Sequence, residues 1–479
     1  MLFDHTGLLL DQGREFPAQW QLQALIADNR ETLFVEQCLR LLPGRRVAVR
    51  AQWRGRGVFL KVFFGRKARA EYQYERDMIE RLSAAAVQVP TLLATGTVAG
   101  GGYVLVSEFL PDAVDIQQHW QCLSDDTAKE PLFKALVSMQ LALYRSGLYQ
   151  ADAHLGNYVI SEGNLFALDA GGVKPARFRR RALFLSNLAL LLAQFNWREF
   201  PKLTGWTQES LAASNSVLAD CRLGELQERL LYRWRRRLRK VSDKSLRACS
   251  KVLERKTSGL HLLCRRRYAS AKLLQSIECT ERLDQLLAQG SLLKQGNSAT
   301  VAKVELDGRA VVIKRYNLKS RWIAVKRALQ TSRARRSWYN AHLLELMGFD
   351  TPEPIALIEE KIGGFTQRAY LITAWTRGQD FGDAISADGQ SSDYVELFSE
   401  LFKGLRLARV SHGDMKATNF IIEQQALTLI DLDSMRFHRC SHIFHKRLKK
   451  DVGRFLANWK NTVPEPFRQA VEPDSPMGV

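Results

Sequence analysis

His412-Gly-Asp414-Met-Lys416-Ala-Thr-Asn419, followed by Leu427-Thr-Leu-Ile-Asp431, is the stretch on which the reading of this chain turns. Asn419 follows Asp414 by five positions, and Asp431 closes an apolar run twelve positions further on. The same arrangement occurs earlier, as Asp152-Ala-His154-Leu-Gly-Asn157 and then Leu165-Phe-Ala-Leu-Asp169. The offset is 414 minus 152, or 262, at all three positions, and Pro90/Pro352 and Trp197/Trp459 share it. One D-x-x-x-x-N is common by chance; two copies, each with an equally spaced strand and aspartate, argue for a duplicated domain.

Upstream of each copy the order of elements repeats. In the second half Ser291–Lys294 leads through Gly296-Asn297-Ser298 into Ala299–Glu305, an Asp307-Gly308 turn and Ala310–Tyr316, which read as an antiparallel meander. A helical stretch, Ser332–Leu346, a loop with Pro352 and Pro354, and a strand, Ala369–Thr373, follow. The first half matches with Val58–Phe63, a helix around Ala70–Leu82, Pro90, and Tyr103–Phe109. Between the halves, residues 205–290 are rich in leucine and arginine at helical spacing and read as the end of the first helical lobe plus a helical connector. The expected organisation is α+β: a bilobal domain over 1–204, a basic helical connector over 205–287, and a second bilobal domain over 288–479.

Transfer of a nucleotide γ-phosphoryl group needs an acceptor-orienting base, ligands for magnesium, and a cation on the nonreacting phosphates. Asp414 suits the first task, with His412 bracing its loop and Lys416 meeting the transferring phosphate. Asn419 and Asp431 offer the hard oxygen donors that Mg2+ prefers. Lys314 lies on a strand from which it can reach the phosphates, and backbone N–H groups at Gly296, Asn297 and Ser298 can cap them. The first-half counterparts are Asp152, Asn157, Asp169 and Lys61, with Glu71 or Glu75 as partner for Lys61. The second half offers only Ser337 or Asn340 where a lysine-pairing glutamate is expected, and the first has Gln150 in place of His412. Without the downstream motif, Lys61 and Lys314 read as ordinary exposed strand residues; Asp433 reads as a local turn residue, with a role at or beside the metal as the alternative.

The second motif, together with Ser332-Arg-Ala-Arg-Arg-Ser-Trp-Tyr-Asn-Ala and Thr351-Pro-Glu-Pro, resembles the bacterial lipopolysaccharide core heptose and Kdo kinases of the protein-kinase-like superfamily. The resemblance spans about residues 288–462, and more weakly 45–200. It implies two tandem bilobal kinase-like domains, ATP and Mg2+ as cofactors, and a sugar hydroxyl of the lipopolysaccharide inner core as acceptor. A protein or small-molecule kinase, and a pseudokinase scaffold in lipopolysaccharide assembly, are the alternatives. The second loses ground because neither half lacks its base or metal ligands.

Lysine plus arginine total 70 against 50 for aspartate plus glutamate, a formal charge of +20 that favours anionic partners. A lipopolysaccharide core glycolipid, or another anionic substrate, is the expected partner, with peripheral contact to the inner membrane. Nucleic acid is not expected, since no recognisable binding motif accompanies the charge. The run Arg233–Lys240 reads either as a solvated helix face or as a docking surface. Seven scattered cysteines without a C-x-x-C pair indicate reduced thiols. The segment Phe184–Phe195 is too short to span a bilayer and reads as a buried helix. The acidic start of the chain does not resemble a signal peptide, so the expected location is cytoplasmic, or peripheral on the cytoplasmic face of the inner membrane.

Overall fold

In the computed structural model, the described residues are 20–99, 101–176, 180–214, 223–296, 298–317, 331–363, 365–388, 393–459 and 462–472. They form two units, Met1–Leu230 and Leu231–Val479, which divide within one helix.

Alternation of side chains builds the first unit. In β1 (Trp20–Ile26) every second residue, Trp20, Leu22, Ala24 and Ile26, is buried, as the two-residue period of a strand requires. With β2 (Asn29–Leu42), β3 (Arg46–Trp53) and β4 (Arg56–Phe63) it forms a meander. Then come α1 (Ala68–Ala84), β5 (Leu92–Val98) and β6 (Tyr103–Glu108), and the sheet closes into a barrel in the order β1-β2-β3-β4-β6-β5. Val47, Val49, Val58, Leu60, Val62, Val104 and Val106 fill it. On a separate core patch Tyr72 of α1 stacks on Tyr103 with ring centroids 4.9 Å apart.

The helical part follows: β7 (Val114–Asp115), α2 (Ile116–Cys122), α3 (Asp126–Arg145), β8 (Leu148–Gln150), β9 (Tyr158–Ser161), β10 (Asn164–Ala167), β11 (Val173–Pro175), α4 (Arg180–Leu192), α5 (Phe200–Ala213) and α6 (Leu223–Asp243). Phe184, Leu185, Leu188, Leu191 and Leu192 are all buried, as the apolar run predicts. Among the described residues, no helix is long and apolar enough to cross a membrane.

The second unit is built on a seven-stranded sheet rather than a barrel. Its strands are β12 (Val252–Lys256), β13 (Leu260–Arg265), β14 (Ser291–Gln295), β15 (Ala299–Leu306), β16 (Arg309–Tyr316), β17 (Pro354–Ile362) and β18 (Phe365–Ala374), in the order β12-β13-β17-β18-β16-β15-β14. α7 (Ala271–Ile277) and α8 (Thr280–Gln289) cover one face through Ile277, Leu283 and Leu287. α9 (Arg333–Met347) covers the other through Ala334 and Trp338. Below lie β19 (Gln379–Asp380), α10 (Phe381–Asp388), α11 (Asp393–Ala408), β20 (Val410–Ser411), β21 (Phe420–Glu423), β22 (Ala426–Leu429), β23 (Arg436–Phe437), α12 (Ser441–Leu456) and α13 (Glu465–Val471). Phe381, Phe398, Phe420, Phe455 and Phe467 pack there ring against ring.

Two sequence expectations change. The connector is not helical throughout, because β12 and β13 interrupt it and β13 pairs with β17 inside the second sheet. Leu262 and Cys264 face one core layer and Leu263 the other. A strand buried on both faces loses its alternation and cannot be told from a helix by pattern. The Arg233–Lys240 run is a solvated face only in part: Arg236 and Lys240 are exposed, whereas other members pack. Arg235 donates from Nε to the Leu407 carbonyl at 2.7 Å, the Arg239 guanidinium lies 4.8 Å from the Phe437 ring centroid, and Arg237 is half-buried. The described cysteines, 38, 122, 249, 264, 279 and 440, are all free thiols.

Candidate active sites

In the second unit β20 delivers the chain into the loop His412–Asn419. The loop's shape is set by hydrogen bonds from the region of α12. Both Asp451 carboxylate oxygens accept backbone N–H groups, from His412 at 2.7 Å and Gly413 at 2.9 Å. The Asn458 amide accepts from Ala417 N at 2.9 Å and donates to the Met415 carbonyl at 3.0 Å. Asn419 Nδ2 donates to the Asp414 carbonyl at 2.8 Å, which leaves its amide oxygen as the atom able to meet a cation. Gly413 has φ +84°, and a Cβ there would stand 2.9 Å from the Ser434 carbonyl oxygen, so glycine is required on both counts.

Asp414 is half-buried. Its Oδ1 lies 2.7 Å from Arg454 Nε and its Oδ2 3.8 Å from Lys416 Nζ. The Arg454 contact is ionic and not a well-aligned hydrogen bond. His412 is fully buried and packs near Phe420, 6.1 Å between centroids; burial lowers its pKa and keeps the imidazole neutral. Its ring is enclosed in the interior, with neither ring nitrogen making a hydrogen bond to another residue of the loop.

Lys314, central in β16, reaches Asp431 Oδ1 at 2.6 Å. Burial pushes the Asp431 carboxyl up, but Lys314 and Arg333 outweigh it and its pKa is lowered. Lys314 is shifted in the complementary direction: burial disfavours its charge, while Tyr316 and Asp431 more than compensate. Asp431 itself adopts a left-handed backbone, φ 58°.

Sequence reasoning missed the device that replaces the absent glutamate. Ser337 is taken by Tyr316, hydroxyl to hydroxyl at 2.9 Å. Asn340 donates to the Leu432 carbonyl at 2.8 Å and the Met435 carbonyl at 3.3 Å. Arg333 Nε meets buried Asp433 at 2.6 Å, and Arg336 Nε meets the Asp433 carbonyl at 3.1 Å. α9 thus grips the segment after Asp431 instead of the lysine, and Asp433 is an anchor as well as a turn residue. Gly296 and Ser298 flank the β14–β15 turn, where Gly296 N donates to the Ala299 carbonyl and Arg333 reaches the Ser298 carbonyl at 3.2 Å. Asn297 lies outside the described residues.

The first unit solves the same problem differently. Lys61 of β4 forms an ion pair with Glu75 of α1 and lies 3.5 Å from Asp169 Oδ1. Glu75 is 3% exposed; burial pushes its carboxyl up, against the pull of Lys61. Glu71, the other candidate, pairs with Arg45. Asn157 Nδ2 donates to the Asp152 carbonyl at 2.8 Å, as in the second unit. Gln150 occupies the place of His412, its backbone N–H and C=O both held by the Asn187 amide, and its Nε2 donates to the Asp169 carbonyl at 3.3 Å. Asp152 and His154 are exposed, and His154 Nδ1 accepts from Gly156 N at 3.1 Å. Beside Lys61 and Glu75 lies a cavity of about 370 Å³, walled by apolar groups that include Ile79, Leu105, Phe109 and Leu168.

The candidate donors for a cation are one amide oxygen, of Asn157 or Asn419, and one carboxylate, of Asp169 or Asp431, in each unit. No group of three or more His, Cys, Asp or Glu side chains suited to a metal occurs among the described residues. Two hard oxygens fit Mg2+, which keeps most of its waters and takes its remaining ligands from phosphates.

Residues 284–459 match the lipopolysaccharide kinase (Kdo/WaaP) family. The match bears out the resemblance carried by the second motif, and the second unit carries a kinase domain. No curated protein matches the chain. Among solved structures, the kinase domain of Mycobacterium tuberculosis PknI, as a cysteine-to-alanine mutant, is similar at 16% identity with a TM-score of 0.25, over 34% of this chain and 73% of that one. A second structure of the PknI kinase domain gives 17% identity and a TM-score of 0.22, over 29% and 58%.

Proposed function

We propose that this chain is an ATP- and Mg2+-dependent phosphotransferase made of two tandem kinase-like domains, whose second domain phosphorylates a sugar hydroxyl of the lipopolysaccharide inner core. The observation that carries the proposal is the assembly of Asp414, Asn419, Asp431 and Lys314 within the stretch that matches the family. The acceptor oxygen attacks the γ-phosphorus, the bond to the β–γ bridging oxygen breaks, and the acceptor's proton passes to Asp414. Lys416 offers charge to the transferring group and Lys314 to the nonreacting phosphates. Mg2+, held by Asn419 and Asp431, would neutralise charge on the phosphate oxygens. Gly296, Asn297 and Ser298 would cap the phosphates.

In the first domain Lys61, Glu75, Asn157 and Asp169 are proposed to bind a second nucleotide, its base in the adjoining cavity, with Asp152 as the corresponding base residue. The two domains are proposed to divide within α6, with β12 and β13 counted in the second. The site of action is proposed to be the cytoplasmic face of the inner membrane.

The test compares Asp414→Asn with Asp152→Asn. Mass spectra of lipid A-core from a deletion strain should lack a phosphate that wild-type protein restores and Asp414→Asn does not. In vitro, Asp414→Asn should lower product formation by about 10²-fold or more while nucleotide binding persists. If only Asp152→Asn abolishes transfer, the roles of the two domains are reversed. If neither matters in folded protein, the kinase reading fails.

A further inference from the structure

The surface beside Asp414 carries charge in an ordered pattern. α12 exposes Lys446, Arg447, Lys449, Lys450 and Arg454, whereas its one acidic residue, Asp451, is buried. Phe444, Leu448, Asp451 and Phe455 form the inward face. Lys446, Arg447, Lys450 and Arg454 recur at three- and four-residue spacing and so share one outer stripe. From Lys446 to Arg454 the stripe runs about 12 Å at roughly 1.5 Å per residue. It ends on Arg454, whose Nε is 2.7 Å from Asp414 Oδ1, beside exposed Lys416. Among the described residues, no carboxylate stands within ion-pairing distance of Lys446, Arg447, Lys449 or Lys450. The acidic groups at hand among the described residues are Asp414, beside Arg454, and buried Asp451, which feels Arg447, so positive charge is in excess along α12 and is suited to an anionic ligand that supplies the balance.

We infer that this stripe is an acceptor-binding track for a saccharide bearing several phosphate or carboxylate groups, with Arg454 holding the anionic group nearest the hydroxyl that Asp414 orients. The inference rests on the reading of Asp414 as the base, and it names where and by what charges the acceptor is held. A bilayer surface is the less favoured occupant. The stripe is one helix wide and terminates at a reacting group, whereas a bilayer would be met by a broad flat face.

The test is a binding assay that needs no turnover. Heparin hexasaccharide serves as a polyanionic sugar probe and maltohexaose as its neutral counterpart, both titrated by calorimetry at 50 and 150 mM salt. Lys446→Glu/Lys450→Glu should weaken heparin binding by tenfold or more, and the neutral sugar should bind neither protein. Arg236→Glu/Lys240→Glu, which changes net charge equally at two exposed positions of α6, should retain most of the affinity. The milder Lys446→Gln/Lys450→Gln guards against misfolding and should fall between. Equal losses in both reversal variants, or none in the first, would overturn the proposal. So would vesicles of phosphatidylcholine and phosphatidylglycerol that lose binding to Lys446→Glu/Lys450→Glu while the heparin fragment does not. Because binding is read directly, an inactive enzyme that still binds the probe would count against the catalytic reading and leave the track intact.

Discussion

Replacing Asp451 with asparagine separates loop geometry from stability. In the folded protein burial raises the Asp451 carboxyl from 3.8 to about 6, against the opposing pull of the His412 and Gly413 amides and Arg447. Between about pH 4 and pH 6 the folded state holds a proton that the unfolded chain has released, so this group's contribution to stability falls as pH rises through that window and is level above it. A displacement of about two units corresponds to a penalty of about 3 kcal/mol at pH 7. Asparagine escapes that penalty, yet it presents one carbonyl oxygen to two N–H groups. One of these loses its acceptor at a cost of about 1–3 kcal/mol. The two terms oppose each other at similar size. Urea unfolding at pH 7 should therefore find the variant within about 2 kcal/mol of wild type. At pH 4 the comparison should move in favour of wild type by up to about 3 kcal/mol. Product formation should nevertheless fall by about tenfold or more, because the loop carrying Asp414 loses one of its fixed points. A variant with full activity would refute the idea that these hydrogen bonds position the base. A stability difference unchanged between pH 4 and pH 7 would refute the raised Asp451 pKa.

Three further outcomes follow from the same geometry. Glu75→Gln should weaken nucleotide binding by the first unit about tenfold, measured by calorimetry in an Asp431→Ala background; unchanged affinity would deny Lys61 and Glu75 a joint role. Wild-type protein should bind two nucleotides with Mg2+, and Asp169→Ala and Asp431→Ala should each remove one; a single site lost in only one variant would contradict the tandem reading. Arg335 pairs with Glu359, which is 1% exposed and, despite burial, is held well below the usual carboxylate range by His261 and Arg335. Arg335→Met should cost about 3 kcal/mol, because His261 and Lys361 remain beside the buried charge after one of its partners is lost, and adding Glu359→Gln should recover much of it in urea titrations.

The sequence by itself showed a repeated spacing of loop, strand and aspartate in its two halves, because covalent spacing is preserved wherever such elements must follow one another at fixed distances. It also located Lys61 and Lys314 on strands and the apolar run of α4 in the interior, since both rest on local periodicity. It singled out Asn157 and Asn419 as candidate metal ligands without revealing that each donates from Nδ2 to the carbonyl of its own aspartate. What only the tertiary structure decided are contacts between segments far apart in the chain. Glu75 rather than Glu71 meets Lys61 because α1 turns that face inward. Arg333 and Asn340 act on the segment after Asp431 across about ninety to a hundred residues of intervening chain. Asp451 and Arg454 of α12, and Asn458 just beyond its end, reach the Asp414 loop from a segment that shows no catalytic signature in its composition. Likewise β13 is a strand because it pairs with β17 inside a sheet, and part of the Arg233–Lys240 run packs because Leu407 and Phe437 lie against Arg235 and Arg239. In each case the deciding energy is desolvation or a hydrogen bond between segments distant in sequence, and neither leaves a periodic mark along the chain.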